Sequence, residues 1–252
     1  RRFATEVMRP AGIALDRMSA EAVIAGDSPL WAVLEGFKAL GFAGGASVDD
    51  PSLAPAEKAL LHCIVLEELS AGDVGLFITC GLLNIAPEIA RASGRADLTE
   101  FFGARDELCC LALTEPGHGS DIVAFTEPAY RNPRIKPALK CRRNGAHYVL
   151  NGQKAAWVSG GTLAGSGIVF ASFENSPVGF ADGAVFLMPF DLPGVSKGKP
   201  LEKIGQRALN QGEIFFDNVE VPAEILLAEG PEIYPLVWEM NLKGANIAMG
   251  QQ

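Results

Sequence analysis

The stretch Leu111-Ala112-Leu113-Thr114-Glu115-Pro116-Gly117-His118-Gly119-Ser120-Asp121 runs from an apolar strand-like start into a loop holding two glycines, a hydroxyl and an acid. Such a loop suits a phosphorylated cofactor. Glycines permit close backbone approach and positive φ, while exposed N–H groups and the Ser120 hydroxyl can donate to pyrophosphate oxygens without a cationic side chain. Taken alone, the same residues also read as a plain turn after a strand. His118 invites an acid–base reading, since histidine is a common proton-transfer residue and this one lies close in sequence to Ser120 and Asp121. A hydrolase triad is not the reading, because triads are assembled from separate segments, whereas these three share one tight loop. His62 and His147 read as structural or surface residues. The scattered histidines and unpaired cysteines have no metal-ligand spacing, so no metal site is expected.

Two further blocks follow: Asn151-Gly152-Gln153-Lys154-Ala155-Ala156-Trp157-Val158-Ser159-Gly160-Gly161, then Gly205-Gln206-Arg207 with Glu213-Ile214-Phe215-Phe216-Asp217-Asn218-Val219-Glu220-Val221-Pro222. Trp157 read alone is equally a core residue. Between the first two blocks, Glu127 to Lys140 carries Pro128, Pro133 and Pro137 with Arg131, Arg134, Lys136 and Lys140, which predicts an exposed irregular excursion. It is either a solvated loop or a contact for a phosphorylated ligand.

These segments need elements to hold them. From Arg1 to about Gly103 apolar residues recur at three to four, as in Phe3, Val7, Met8 and then Trp31, Leu34, Phe37, Leu40, which predicts successive helices. Ala56 to Ala71 follows Pro55, places Leu60, Ile64 and Leu69 on neighbouring turns, and stops before Gly72. Gly81 to Arg91 predicts another helix, with Pro87 either kinking it or marking a first turn. Beyond Leu108 the texture is β-like, with short runs at Leu108 to Leu113, Ala146 to Leu150, Gly167 to Phe173, Ala184 to Pro189 and Glu213 to Phe216. Turns are expected at Arg143-Asn144-Gly145, Asn151-Gly152, Ala181-Asp182-Gly183 and Leu192-Pro193-Gly194. From Pro231, the spacing of Tyr234, Val237, Trp238 and Leu242 is helical again.

The chain has 252 residues, 48% of them hydrophobic and 20% charged, enough to bury a sizeable core in a globular protein. A formal net charge of -9 argues against nucleic acid and anionic membranes as partners. The longest apolar runs, such as Gly167 to Phe173, fall short of a membrane span. Cys63, Cys80, Cys109, Cys110 and Cys141 show no paired framework and read as buried thiols in a reducing compartment. The opening Arg1-Arg2-Phe3 and the closing Ala248-Met249-Gly250-Gln251-Gln252 suggest truncation at both ends.

In order, the three blocks read TEPGxGSD, NGxKxxW(I/V)(S/T)xG, and GxR with FxxVxVP, preceded by Glu67-Glu68-Leu69-Ser70 in the helical part. Together they resemble the acyl-CoA dehydrogenase family over nearly the whole chain. The resemblance implies an α+β chain: an N-terminal helical domain over 1–107, a middle β-barrel-like domain over 108–225, and the start of a C-terminal helical bundle over 226–252. It implies FAD as cofactor. Leu113 and Thr114 would meet the flavin pyrimidine edge and Ser120 the pyrophosphate. Trp157 would pack on the isoalloxazine and Ser159 would hydrogen-bond near N5. Leu111, Gly119 and Val158 join this set, and Ser120 also serves as a substrate contact.

The implied reaction is α,β-dehydrogenation of an acyl-CoA thioester to a 2-enoyl-CoA, within fatty-acid metabolism, with electrons passing to an electron-transfer flavoprotein or similar acceptor. The glutamate base is expected beyond Gln252 or in a partner chain. Where a variant group of the family carries it, this sequence has Lys243, with Glu239 about one turn earlier and Gly244 near a frequent arginine. A dimer or tetramer is implied, in the cytoplasm or, in a eukaryote, the mitochondrial matrix. Alternatives are a short subunit of a split enzyme, a related flavin oxidase or monooxygenase, and a non-catalytic flavin-binding scaffold.

Overall fold

The computed structural model describes residues 1–42, 52–124, 126–135 and 137–240. Lys136, Leu242, Lys243, Gly244 and the closing Ala248 to Gln252 lie outside them. A turn of π-helix, Ala4–Met8, leads into α1 (Arg9–Leu15), followed by α2 (Ala20–Val23), α3 (Pro29–Ala39), α4 (Pro55–Gly72), α5 (Val74–Gly81), α6 (Ile85–Ala92) and α7 (Ala96–Gly103). Local chemistry sets several starts. Ser28 caps α3 by accepting from the Leu30 N–H, ahead of Pro29 at the first helical position. Asp73 caps α5 through the Leu76 N–H at 2.8 Å. Glu57 reaches back to the Ala54 N–H at 2.8 Å, the glutamate half of a capping box for α4.

Two helical expectations change. α4 runs where expected, but Leu60 and Ile64 are 63% and 47% exposed, and the buried residues are Leu66, Leu69 and Gly72. The close approach that turns this face inward is at Gly72, where a Cβ would lie 2.9 Å from the Ala4 carbonyl oxygen. The predicted helix over Gly81 to Arg91 is broken after Gly81. Pro87 then sits in the first turn of α6, where its missing N–H costs no hydrogen bond.

The strands are β1 (Cys109–Ala112), β2 (Lys140–Asn144), β3 (His147–Ser159), β4 (Ser166–Phe173), β5 (Gly183–Pro189), β6 (Val195–Lys197), β7 (Gln211–Pro222) and β8 (Leu226–Glu229), and α8 (Ile233–Met240) follows. They form one open sheet in the order β6-β7-β3-β2-β4-β5-β8, with β1 also paired to β4. The expected barrel-like domain is therefore an open sheet in the described residues, since its end strands β6 and β8 pair inward only. β1 and β2 both run parallel to β4, one beside Ser166 to Val169 and the other beside Ser172 and Phe173. Asn151-Gly152 is a bulge inside β3 rather than a turn. Gly152 has φ +127, and a Cβ there would lie 2.1 Å from the Ala138 carbonyl oxygen, so only glycine fits.

The continuous apolar run of β4 reflects burial on both faces. Ile168 and Phe170 join Val185 and Leu187 of β5 against Ile89, Leu98 and Phe102 of α6 and α7. Val169 and Ala171 face the opposite way, into the larger core with Phe186, Met8, Leu30 and Leu76. The sheet thus separates two cores, and β1 enters between them: Cys110 and Ala112 pack in the larger one, Cys109 in the smaller. No single helix among the described residues is long and apolar enough to cross a membrane.

Candidate functional site

The chain leaves the β4 edge at Ala112 and returns to it at Lys140, and the predicted loop lies at this break. Leu111 and Leu113 are partly buried against the smaller core. The Thr114 carbonyl accepts from the Ala155 N–H at 3.1 Å, which ties the loop to β3. Lys154 is 1% exposed and its Nζ donates to the Leu113 carbonyl at 3.0 Å and to Glu115 Oε1 at 2.7 Å. Glu115 is also buried, and its carboxylate accepts from the backbone N–H groups of Ala138 and Leu139, on the returning limb. One buried ion pair thus closes the neck of the excursion and fixes Leu113. Burial pulls the Lys154 pKa below the ordinary lysine value, and the Glu115 charge opposes that shift. Beside the pair is a cavity of about 20 Å³, room for one water, bounded also by Tyr130, Ser172 and Phe180.

Past Glu115 the loop is locked by its own groups. Glu115 and His118 exchange backbone hydrogen bonds at 2.9 and 3.1 Å across Pro116-Gly117. His118 Nδ1 lies 2.7 Å from Asp121 Oδ2, and Asp121 Oδ1 accepts from the Gly119 N–H at 2.7 Å. The His118 ring stands edge-on to Phe180 at 4.9 Å, above a small apolar cluster of Ile122, Tyr130 and Phe180. His118 therefore serves the loop's shape, and Ser120 opens the 3-10 turn Ser120–Val123 that follows. Neither Gly117 nor Gly119 has positive φ, and a Cβ on either would meet nothing within 4 Å. The space beside both residues is therefore open.

On β3, pairing with β7 slips between Lys154 and Val158. Across the slip Lys154 and Ala155 are buried, Trp157 is 59% exposed, and Val158 returns to the core at 1%. Trp157 thus presents an uncovered indole, whereas the Val158 side chain is committed to packing. Ser159 is partly buried and sits opposite Gln211 in register. Gln211 Nε2 lies 3.2 Å from Ser159 Oγ and 3.3 Å from the Trp157 carbonyl oxygen. Thr114 Oγ1 is buried and has no hydrogen-bond partner. It shares this state with Ser70 Oγ, Ser166 Oγ, Arg207 Nε and Asn210 Nδ2, and an ordered water or a bound molecule is the partner such a group takes.

Sequence reading placed Thr114, Trp157 and Ser159 at a site but passed over Gln211, which lies between the two halves of the third motif block. It also gave no role to Glu115 and Lys154, although both stand in the motifs; their opposite charges in apolar surroundings were the available signal. The thiols of Cys80, Cys109, Cys110 and Cys141 are buried and Cys63 is half-buried. Burial pushes the Cys80, Cys109 and Cys141 pKa values up to about 12. Among the described residues no cluster of three or more His, Cys, Asp or Glu has metal-holding geometry.

The family model "Acyl-CoA dehydrogenase, middle domain" matches residues 110–219. Residues 110–219 belong to the acyl-CoA dehydrogenase family, as its middle domain. The matched segment contains every residue of the site just described. The chain is 30% identical over 199 residues to the mitochondrial 2-methylacyl-CoA dehydrogenase of Solanum tuberosum, covering 76% of this chain and 44% of the relative. It therefore spans less than half the length of that relative. Its fold is similar to that of butyryl-CoA dehydrogenase from Megasphaera elsdenii, with a TM-score of 0.74 at 24% identity over 99% of this chain and 62% of that one. It is also similar to an acyl-CoA dehydrogenase complexed with FAD from Bacillus anthracis, with a TM-score of 0.69 at 22% identity over 95% of this chain and 38% of that one.

Proposed function

We propose that this chain binds FAD and forms the flavin-holding part of an acyl-CoA dehydrogenase, which converts an acyl-CoA thioester to a 2-enoyl-CoA. The observation that carries the proposal is the buried, unpartnered Thr114 hydroxyl in a pinned loop. The residues present fit the cofactor. The Thr114 hydroxyl offers a polar group for the pyrimidine edge beside the fixed Leu113 backbone, and the space open at Gly119 leaves room for a pyrophosphate next to Ser120. Trp157 offers an uncovered aromatic face to a planar ring, Ser159 a hydroxyl to N5, and Leu111 and Val158 the packed support beneath. Bound FAD would supply the two-electron acceptor that no side chain here provides.

The chain's own part is to hold and orient. Lys154 and Glu115 fix the loop against β3, and Ser120 is also assigned to the substrate side. We assign the α-proton's base to no described residue and expect it beyond Gln252 or in a partner chain. The wider reading places 1–107, 108–225 and 226–252 in three domains. It has the assembly work as a dimer or tetramer that passes electrons to an electron-transfer flavoprotein or similar acceptor, in the cytoplasm or, in a eukaryote, the mitochondrial matrix. The test is an anaerobic absorbance spectrum of the native protein, loaded with FAD, before and after adding a panel of acyl-CoA thioesters. Flavin absorbance at about 450 nm that bleaches with one thioester supports the proposal and names the substrate. A protein that takes up no FAD refutes it.

A further inference from the structure

Ser159 and Gln211 face each other across β3 and β7 as register partners, so their side chains lie on one face of the sheet. Gln211 is held from both sides of its backbone. The preceding Asn210 carbonyl accepts from the Gly160 N–H at 2.7 Å, and the Gln211 carbonyl accepts from the Leu201 N–H at 2.9 Å. Asn210 also accepts from the Thr162 hydroxyl at 2.8 Å, which fastens this end of β7 to the turn after β3.

The orientation of the Gln211 amide follows from its neighbours. The Trp157 carbonyl can only accept, and it lies 3.3 Å from Nε2, so that atom is the NH2 group. The same nitrogen carries a second proton and lies 3.2 Å from Ser159 Oγ. A hydroxyl has one proton and two lone pairs. With one lone pair engaged by Gln211, Ser159 keeps its proton for a group outside this pair. Without Gln211 the hydroxyl would be free to turn that proton toward the Trp157 carbonyl or water.

We propose that Gln211 is a positioning residue: by donating to Ser159 Oγ and the Trp157 carbonyl it fixes Ser159 as a hydrogen-bond donor toward the flavin N5. The proposal rests on the flavin reading above. It makes the electronic tuning of the cofactor depend on a residue outside the three motif blocks.

The experiment compares the FAD-loaded wild type with Ser159→Ala, Gln211→Glu, Gln211→Met and the two double variants, reading bound FAD per chain, the visible flavin spectrum and the midpoint potential. Gln211→Glu is nearly isosteric but replaces the donor with acceptors, drawing the Ser159 proton toward itself. It is expected to keep FAD binding and to shift the potential in the same direction as Ser159→Ala, changing the oxidised-to-reduced ratio at fixed potential by roughly threefold to tenfold. Gln211→Met is expected to shift it less, because the hydroxyl is released rather than reversed. In the Ser159→Ala background Gln211→Met is expected to add no shift, since the group it acts through is gone, and Gln211→Glu there reads only the direct effect of its new charge and is expected to shift less than in wild type. A Gln211 change that shifts the potential equally in both backgrounds, or leaves it unmoved in FAD-loaded protein, overturns the inference alone. A wild-type chain that takes up no FAD overturns it together with the flavin reading.

Discussion

β3 buries a lysine and exposes a tryptophan three residues later. Lys154 is 1% exposed and Trp157 is 59% exposed. Burying an ammonium without partners would cost several kcal/mol, so Lys154 is inside only because Glu115 and the Leu113 carbonyl satisfy it there. Trp157 is outside although its indole would gain from burial, and among the described residues nothing covers it. The contrast separates two kinds of position. A buried charge marks where the chain completes itself, and an uncovered aromatic beside an unpartnered hydroxyl marks where a ligand completes it.

Breaking the inward side should have the largest effect. Lys154→Met leaves the Glu115 carboxylate buried and uncompensated, and is expected to cost about 3–5 kcal/mol in urea unfolding. Glu115→Gln in that background should restore part of the loss, because it removes the uncompensated charge while the amide oxygen can still accept from the Ala138 N–H. A double variant no more stable than Lys154→Met would show that the charge is not the source of the cost. Trp157→Ala tests the outward side. Its unfolding free energy should move by no more than about 0.5 kcal/mol, while FAD affinity falls roughly tenfold by titration. An equal loss in both would place Trp157 with the core. Thr114→Val should weaken FAD by about threefold and leave the apo protein as stable as wild type, because the hydroxyl it removes has no partner to lose.

Lys203 supplies the smallest and most graded test. It is half-buried, and its Nζ donates to the Leu209 carbonyl at 2.6 Å. Desolvation lowers its pKa from 10.5 to about 8. Between those values the unfolded chain binds the extra proton and the folded one does not, so folding gains as pH rises. Wild type should therefore gain stability relative to Lys203→Met as pH goes from about 8 to 10.5, and the two should run parallel below that window. Chemical denaturation at a series of pH values reads this difference, and parallel behaviour throughout would mean that Lys203 is not desolvated.

The order of helices and then strands was readable because the apolar spacing changes period after Leu108. The flavin-side residues Thr114, Trp157 and Ser159 stood out because their blocks occur in one order, whatever the tertiary contacts. β2 went unread because Lys140, Arg142, Arg143 and Asn144 leave almost no apolar alternation, although Cys141 points into the core. β6 and β8 were too short to show a period. The inward face of α4 was not legible because Leu60 and Ile64 match a helical stripe as well as Leu66 and Leu69 do, and the close approach at Gly72 is a tertiary contact. The Gln211 contact depends on the register of β3 against β7, including a slip that no local pattern announces.

β1 and β2 lie end to end along one side of β4, and Glu115 closes the gap between them by holding Ala138 and Leu139. Pairing therefore fixes where the chain must leave and return, but not how much chain lies between. Between them Tyr130 packs on Ile122 and Phe180, and chain added away from that contact costs only as the logarithm of the loop length, about 0.6 kcal/mol per doubling. The neck works as a socket. It lets chain be added away from Tyr130 while the sheet and the pinned Leu113 and Thr114 stay in place.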